Sequence, residues 1–210
     1  MIVAVVDYGA GNLRSVEKAL ERLGGNPLVT SDPAEVLAAE AIVVPGQGAA
    51  GQAMRSLERL GLIEPLRRVM SEGRPFFGVC LGMQILLTRS DEDGGQKCLG
   101  LVPGTVRRLP AGLKVPHMGW NQVELTTDHP VFAGVPNRAN FYFVHSYYCD
   151  PEDPAVIAGQ TEYGVRFCSA IAQGNLVATQ FHPEKSGHIG LRLYANFLEW
   201  AASGAEAAQP

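Results

Sequence analysis

The chain has 210 residues, 46% of them hydrophobic, and a formal net charge of −4. That is enough apolar material for one sizeable core, and too little positive charge for nucleic acid or an anionic membrane surface to be the main partner. Cys80, Cys98, Cys149 and Cys168 are widely spaced with no Cys-x-x-Cys pair, which points away from a zinc site or a disulfide framework and towards a reducing, cytoplasmic setting.

Residues 2–6 are an unbroken run rich in Val and Ile, the mark of a strand buried on both faces of a parallel sheet. The run ends at Asp7-Tyr8-Gly9-Ala10-Gly11-Asn12. Leu13, Val16, Leu20 and Leu23 then share one helix face, with Gly24 as the stop. Gly9-x-Gly11 could open a dinucleotide fingerprint, but Arg14 stands where the third glycine belongs, so a tight turn at the carboxyl end of a central strand is the stronger reading. A strand at 28–30, a helix opened by Ser31-Asp32-Pro33 and a strand at 41–44 follow. The last of these ends in Pro45-Gly46-Gln47-Gly48, where an amide of Gln47 or Gly48 could stabilise an oxyanion. Helices are expected at 50–60 and 62–72. The order βαβαβαβ with short connections predicts a doubly wound α/β fold, a mostly parallel sheet with helices on both faces.

Residues 75–84 carry Gly78-x-Cys80-x-Gly82, the pattern of a nucleophile elbow with cysteine in the place more often held by serine. The two glycines let strand and helix pass closely, so Cys80 can occupy a strained turn with its sulfur exposed. A helix predicted over 81–88 would start at the thiol, offering free N–H groups, the Leu81 amide first, to negative charge. Asp91-Glu92-Asp93-Gly94-Gly95 would end that helix in an acidic loop, where one carboxylate could meet a substrate ammonium. From Leu101 onward short β-like runs predominate, at 105–109, 122–125, 140–144, 155–159, 166–172 and 176–181. Gln173-Gly174-Asn175 is a hairpin signal between the last two. These runs should add antiparallel strands to the sheet edge or form a small side sheet. With no linker or repeat, a single domain over 1–204 is expected, with a frayed tail at 205–210. No apolar segment reaches bilayer-spanning length, and no basic stretch precedes the first apolar run, so neither a membrane helix nor a signal peptide is expected.

A nucleophilic cysteine needs a base, and His182 is placed for it, following a strand in Gln180-Phe181-His182-Pro183-Glu184. If the extended backbone continues, His182 and Glu184 point the same way, and the carboxylate can fix the imidazole tautomer that serves Cys80.

These motifs together resemble the class I (triad) glutamine amidotransferases. General to the class are Gly78-Val79-Cys80-Leu81-Gly82-Met83-Gln84 and Phe181-His182-Pro183-Glu184. The first loop at 7–13, the 45–48 loop, Pro116-His117-Met118-Gly119-Trp120-Asn121, His145-Ser146-Tyr147 and the extension to Lys185-Ser186 resemble the glutaminase-subunit family of imidazole glycerol phosphate synthases. Gln47 departs from the pattern, which has a small apolar residue there. The resemblance implies attack of Cys80 on the carboxamide of L-glutamine, with His182 and Glu184 completing the triad and the oxyanion resting on Leu81 and the Gln47 or Gly48 amide. Gly46, Gln84, Glu92, Ser146 and Tyr147 would hold the substrate, with no metal or organic cofactor. It also implies a heterodimer with a (β/α)8-barrel cyclase subunit that takes the ammonia, docked near Asn12, His117, Trp120 and Lys185. Glutaminases of other synthases, a cysteine hydrolase or an oxidative sensor on a similar fold are the rival readings.

Overall fold

The computed structural model describes residues 1–204; the expected tail at 205–210 lies outside the described residues. The apolar runs become β1 (Ile2–Val6), β2 (Asn26–Thr30), β3 (Ala41–Val44), β4 (Phe76–Val79) and β13 (Leu176–Thr179). They lie parallel in the order β2-β1-β3-β4-β13, within a sheet of thirteen strands. Both faces of β3, β4 and β13, and of β1 beyond Ile2, are buried, which is why these four read as continuous apolar runs and not as alternating ones; β2 is the edge strand and is only partly covered. Ala4, Val6, Ile42, Val44 and Phe76 point into one core, and Val3, Val5, Ala41, Val43 and Phe77 into the other.

Helices cover both faces, as the doubly wound pattern requires. Val16 and Leu20 of α1 (Leu13–Arg22) share a core with the inward face of a C-terminal helix, α6 (Gly187–Ala202), which contributes Leu193, Tyr194 and Phe197. The opposite core is closed by Val36 of α2 (Pro33–Ala38), Leu57 of α3 (Ala50–Arg59), and Leu66 and Val69 of α4 (Ile63–Ser71). Asp32 caps α2, its carboxylate accepting from the Ala34 N–H at 2.8 Å, with Pro33 at the first helical position.

The helix expected over 81–88 is a single turn, α5 (Leu81–Gln84), and the chain then continues as β5 (Leu87–Ser90). Ile85, Leu86 and Leu87 are all completely buried, and a run without a polar face has no period that separates helix from strand. Tertiary pairing decides: Leu87 lies beside Val102, and the Leu86 carbonyl accepts from the Leu101 and Val102 amides. The acidic loop therefore follows a strand.

The remaining strands are β6 (Gln96–Lys97), β7 (Val102–Arg108), β8 (His117–Leu125), β9 (Ala139–His145), β10 (Tyr147–Pro151), β11 (Ile157–Glu162) and β12 (Arg166–Gln173). β12 is the fork. It pairs antiparallel with β13, meets β10 at Cys168 opposite Cys149, and carries β11, through which the β8–β9 ribbon is attached. Gly174-Asn175 forms the β12–β13 turn, with Gly174 at φ 55°. Several boundaries differ from expectation: β2 starts at Asn26 and β7 at Val102, β13 ends at Thr179, and β6 had no predicted counterpart. β8 starts at His117 instead of 122, and β10 had no predicted counterpart. The run at 155–159 opens as a turn, because Asp153 accepts from the Ala155 N–H ahead of β11.

Because the five parallel strands point the same way, the loops after β1, β3, β4 and β13 gather at one sheet edge. Two glycines permit the closest approach there. A Cβ on Gly82 would lie 1.8 Å from the Val44 carbonyl oxygen, and one on Gly78 2.9 Å from the Gly82 carbonyl oxygen. Both clashes are with backbone, so Gly82→Ala should lower unfolding free energy by about 3 kcal/mol or more. A denaturant midpoint equal to that of the unsubstituted chain would contradict the packing described.

Candidate active site

β4 delivers the chain into the sheet edge, and Cys80 turns it through φ 55° and ψ −107°. The turn is fixed at both ends: the Cys80 N–H donates to the Thr179 carbonyl at 2.7 Å, and the Cys80 carbonyl accepts from Met83 and Gln84. Leu81 opens the single helical turn that follows, so its N–H has no intrahelical acceptor. Gly46 packs directly beneath, where a Cβ would meet the Tyr8 hydroxyl at 2.2 Å and Leu81 Cβ at 2.8 Å. Tyr8 donates to the Pro45 carbonyl at 2.8 Å. Burial, reinforced by charge at Cys80, pushes the Tyr8 phenol well up and keeps it a donor.

His182 and Glu184 meet, by a different route from the one expected. β13 ends at Thr179, and residues 183–185 form a tight turn, not continued strand. The turn carries the carboxylate back onto the ring, and His182 Nδ1 donates to Glu184 Oε1 at 2.8 Å. The Glu184 side chain is fully buried. It also accepts from Asn12 Nδ2 at 2.5 Å and from the Tyr194 hydroxyl at 3.3 Å. Burial and then the Glu184 charge push the Tyr194 phenol up, so it stays a donor.

Burial opposes a charged imidazole at His182, but hydrogen bonding and charge from Cys80 and Glu184 outweigh it and raise the ring from 6.5 to about 9. Of these two contacts Glu184 is the firm one. His182 Nε2 makes no hydrogen bond with any described residue, and Cys80 Sγ lies within reach of the Val144 carbonyl at 3.9 Å and Gln180 Nε2 at 3.6 Å.

A cleft of about 440 Å3 opens at the sulfur, in the range of small-molecule sites. Of the sequence-selected residues, Gln47, Gly48, Cys80, Leu81, Gln84 and Glu92 line it, as do Ser146, Tyr147 and Lys185. A larger groove along residues 125–137 shares no lining residue with it. Glu92 is partly engaged, accepting from the Ala50 N–H at the start of α3 at 2.6 Å. Gln47 lies over the first loop, its amide oxygen 3.0 Å from where a Cβ on Gly11 would sit. That first loop supports the carboxylate through Asn12, and no described feature of it cradles a phosphate.

Gly46 and His117 differ from their expected placement. Gly46 is buried under the elbow and does not line the cleft. His117 is 4% exposed and stacked between Phe143 and Tyr163, so its ring offers no surface to a docking partner. Trp120 is 58% exposed and lies edge-on to Tyr142, which lines the cleft. Sequence reasoning missed Gln180, Tyr194 and the pairing of His145 with His117. Tyr194 sits on the apolar face of α6, indistinguishable in a pattern from a core aromatic.

The two histidines form a directed relay. Tyr147 O can only accept, so His145 Nδ1 carries the proton that reaches it at 2.8 Å. His145 Nε2 must then accept from His117 Nδ1 at 2.8 Å, and His117 Nε2 from Asn121 Nδ2 at 3.3 Å. Burial lowers His117 to about 4. Burial foremost, assisted by the neighbouring histidines, lowers His145 to about 3. Both rings are neutral at neutral pH.

Among the described residues no group of three His, Cys, Asp or Glu side chains is placed to hold a metal, and no helix is long and apolar enough to cross a membrane.

Over residues 4–200 the chain matches the family described as Glutamine amidotransferase class-I. It belongs to the class-I glutamine amidotransferases. Imidazole glycerol phosphate synthase subunit HisH of Geobacter sulfurreducens is 54% identical over 204 residues, covering 94% of this chain and 98% of that relative. The subunit of the same name from Chloroflexus aurantiacus is 50% identical over 214 residues, covering 100% and 99%. Within the class, this amidotransferase is of the HisH glutaminase type. A crystal structure of a glutamine amidotransferase shares the fold, with a TM-score of 0.77 at 23% identity over 96% of this chain and 100% of that one.

The neutral histidines set an acid limit on stability. Their folded values lie below the unfolded one near 6.5, so unfolding takes up protons and stability falls as pH drops from about 6.5 through about 4 towards about 3. His182 has the opposite sign: its contribution is complete below about 6.5 and is lost as pH rises through about 9. Thermal melts across pH 4–10 should show both limbs. His117→Gln should remove roughly half of the acid slope due to the pair; an unchanged slope would show that these rings do not set it.

Proposed function

We propose that Cys80, His182 and Glu184 are the catalytic triad by which this HisH-type amidotransferase releases ammonia from L-glutamine. The observation that carries the reading is the buried His182–Glu184 pair beside a sulfur presented on a positive-φ corner. The Cys80 thiolate attacks the carboxamide carbon, and the oxyanion is taken up by the Leu81 amide and an amide of the 47–48 loop. A ring raised to about 9 is an imidazolium at neutral pH, so His182 begins as the acid. The C–N bond breaks as its proton passes to the leaving nitrogen, giving ammonia and a thioester. The neutral ring then takes one proton from water, whose oxygen attacks the thioester; the C–S bond breaks, leaving thiolate, imidazolium and a γ-carboxyl group that gives its proton to solvent to become glutamate. Glu184 holds the ring in one tautomer throughout.

Substrate orientation follows from hydrogen-bond bookkeeping. Gln84 Nε2 donates to Tyr147 O at 2.8 Å and to Gln180 Oε1 at 3.0 Å. With both N–H groups used, Gln84 keeps its carbonyl oxygen for a donor in the cleft, which suits the ammonium or carboxamide N–H of glutamine. Glu92 and the 146–147 backbone complete that end of the site. Residues 1–204 act as one amidotransferase domain, in the cytoplasm.

The ammonia goes to a cyclase subunit with a (β/α)8 barrel, for imidazole glycerol phosphate formation in histidine biosynthesis. The relatives' shared name supports this, as does the exposed apolar pair Met118 and Trp120 on β8, at 61% and 58%. Asn12 and Lys185 flank the docking side. Glutamate release should require Cys80, be lost in Cys80→Ala, and rise when the cyclase subunit binds with its nucleotide ligand. Release indifferent to that subunit would remove the pathway assignment and leave the chemistry. Trp120→Ala should weaken docking by roughly 30-fold or more, measured as a dissociation constant.

A further inference from the structure

Gln180 is completely buried, and nothing in the triad chemistry accounts for it. Its backbone is fixed, the N–H donating to the Ser169 carbonyl at 2.9 Å. The orientation of its amide is not free either. Tyr147 O can only accept, so the atom of Gln84 that meets it is the nitrogen; that same nitrogen reaches Gln180, which must answer with its oxygen. The Gln180 nitrogen is thereby turned to Cys80 Sγ, at 3.6 Å. The sulfur's other hydrogen-bond contact is with an acceptor, the Val144 carbonyl at 3.9 Å.

We propose that Gln180 is a positioning residue for the nucleophile: its side-chain N–H holds Cys80 Sγ in the attacking rotamer and stabilises the thiolate on attack and again on departure from the thioester. The inference rests on Cys80 being the nucleophile. The order of the chain from the outside in is Asn121, His117, His145, the Tyr147 carbonyl, Gln84, Gln180 and Cys80. The donor at the sulfur is thus oriented from the Tyr147 carbonyl, which on its other side accepts from the histidine pair leading to Asn121, next to the exposed Trp120.

The test uses the full chain with the cyclase subunit for glutamate release, and the full chain alone for alkylation of Cys80 by iodoacetamide. Gln180→Met keeps the length and removes the donor. Gln180→Glu keeps an acceptor for Gln84 and sets a carboxylate oxygen against the sulfur, so the idea stays testable if the methionine variant does not fold. Glutamate release and alkylation that need Cys80 in the unsubstituted chain establish the nucleophile. On that footing, Gln180→Met should lower kcat about ten-fold with KM within about two-fold and slow alkylation at pH 7.5 by a similar factor, and Gln180→Glu should lower both further. Unchanged kcat and alkylation would overturn the proposal. So would a raised KM with normal alkylation, because Gln180 would then act on glutamine through Gln84 and not on the sulfur.

Discussion

Holding a non-glycine residue at positive φ costs on the order of 1–3 kcal/mol and lasts only where the surroundings leave no alternative. At Cys80 those surroundings are the three parallel strands β3, β4 and β13. Their register sets the Thr179 carbonyl against the Cys80 amide and the Val44 carbonyl against Gly82, leaving the chain no other path into α5. The sulfur, the free Leu81 amide and the mouth of the cleft all take their positions from that corner. The strain is offset by burial of the whole central sheet between two cores, so the site draws on the stability of the fold and not on local contacts alone.

The second constraint is direction. A carbonyl oxygen accepts and never donates, and the Tyr147 carbonyl sits where two side chains converge on it. From that fixed point the tautomers of His145 and His117 and the amide orientations of Gln84 and Gln180 follow in turn. Every member is buried or nearly so, and in such surroundings an unmatched donor or acceptor would cost about 1–3 kcal/mol. Burial also keeps the histidine pair neutral, while at His182 the neighbouring Cys80 and Glu184 outweigh burial and raise the ring. The same residue type thus serves two purposes a short distance apart, set by whether its neighbour is neutral or negative.

Much of this was legible in the sequence where backbone demand or periodicity leaves a mark. Val and Ile runs marked the strands buried on both faces, Asp32-Pro33 marked a helix start, and Gly78 and Gly82 marked a crowded corner. Illegible parts had competing solutions of similar local merit. Ile85-Leu86-Leu87 suits a buried helix as well as a strand, and only the presence of β7 selects between them. His182 and Glu184 meet through a tight turn, where their spacing alone suggests an extended strand. His117 lies on β8 beside exposed residues, and its burial comes from Phe143 and Tyr163, which no spacing along β8 announces. Gln180 passes for an ordinary strand-end residue until the partner of each of its two amide atoms is known.

Asn12 occupies the position before α1 where its side chain would ordinarily cap the helix, yet it makes no cap and donates to Glu184, 172 positions away. The buried carboxylate is therefore held from the first βα loop and from α6 at once. A nascent chain carries Cys80 well before its last quarter is synthesised, but neither the Thr179 carbonyl that fixes the Cys80 corner nor His182 and Glu184. Only when the final strand docks beside β4 and α6 closes over Phe77 do Asn12 and Tyr194 converge on Glu184. The buried His182–Glu184 pair is for that reason complete only in a chain folded from its first loop to its last helix.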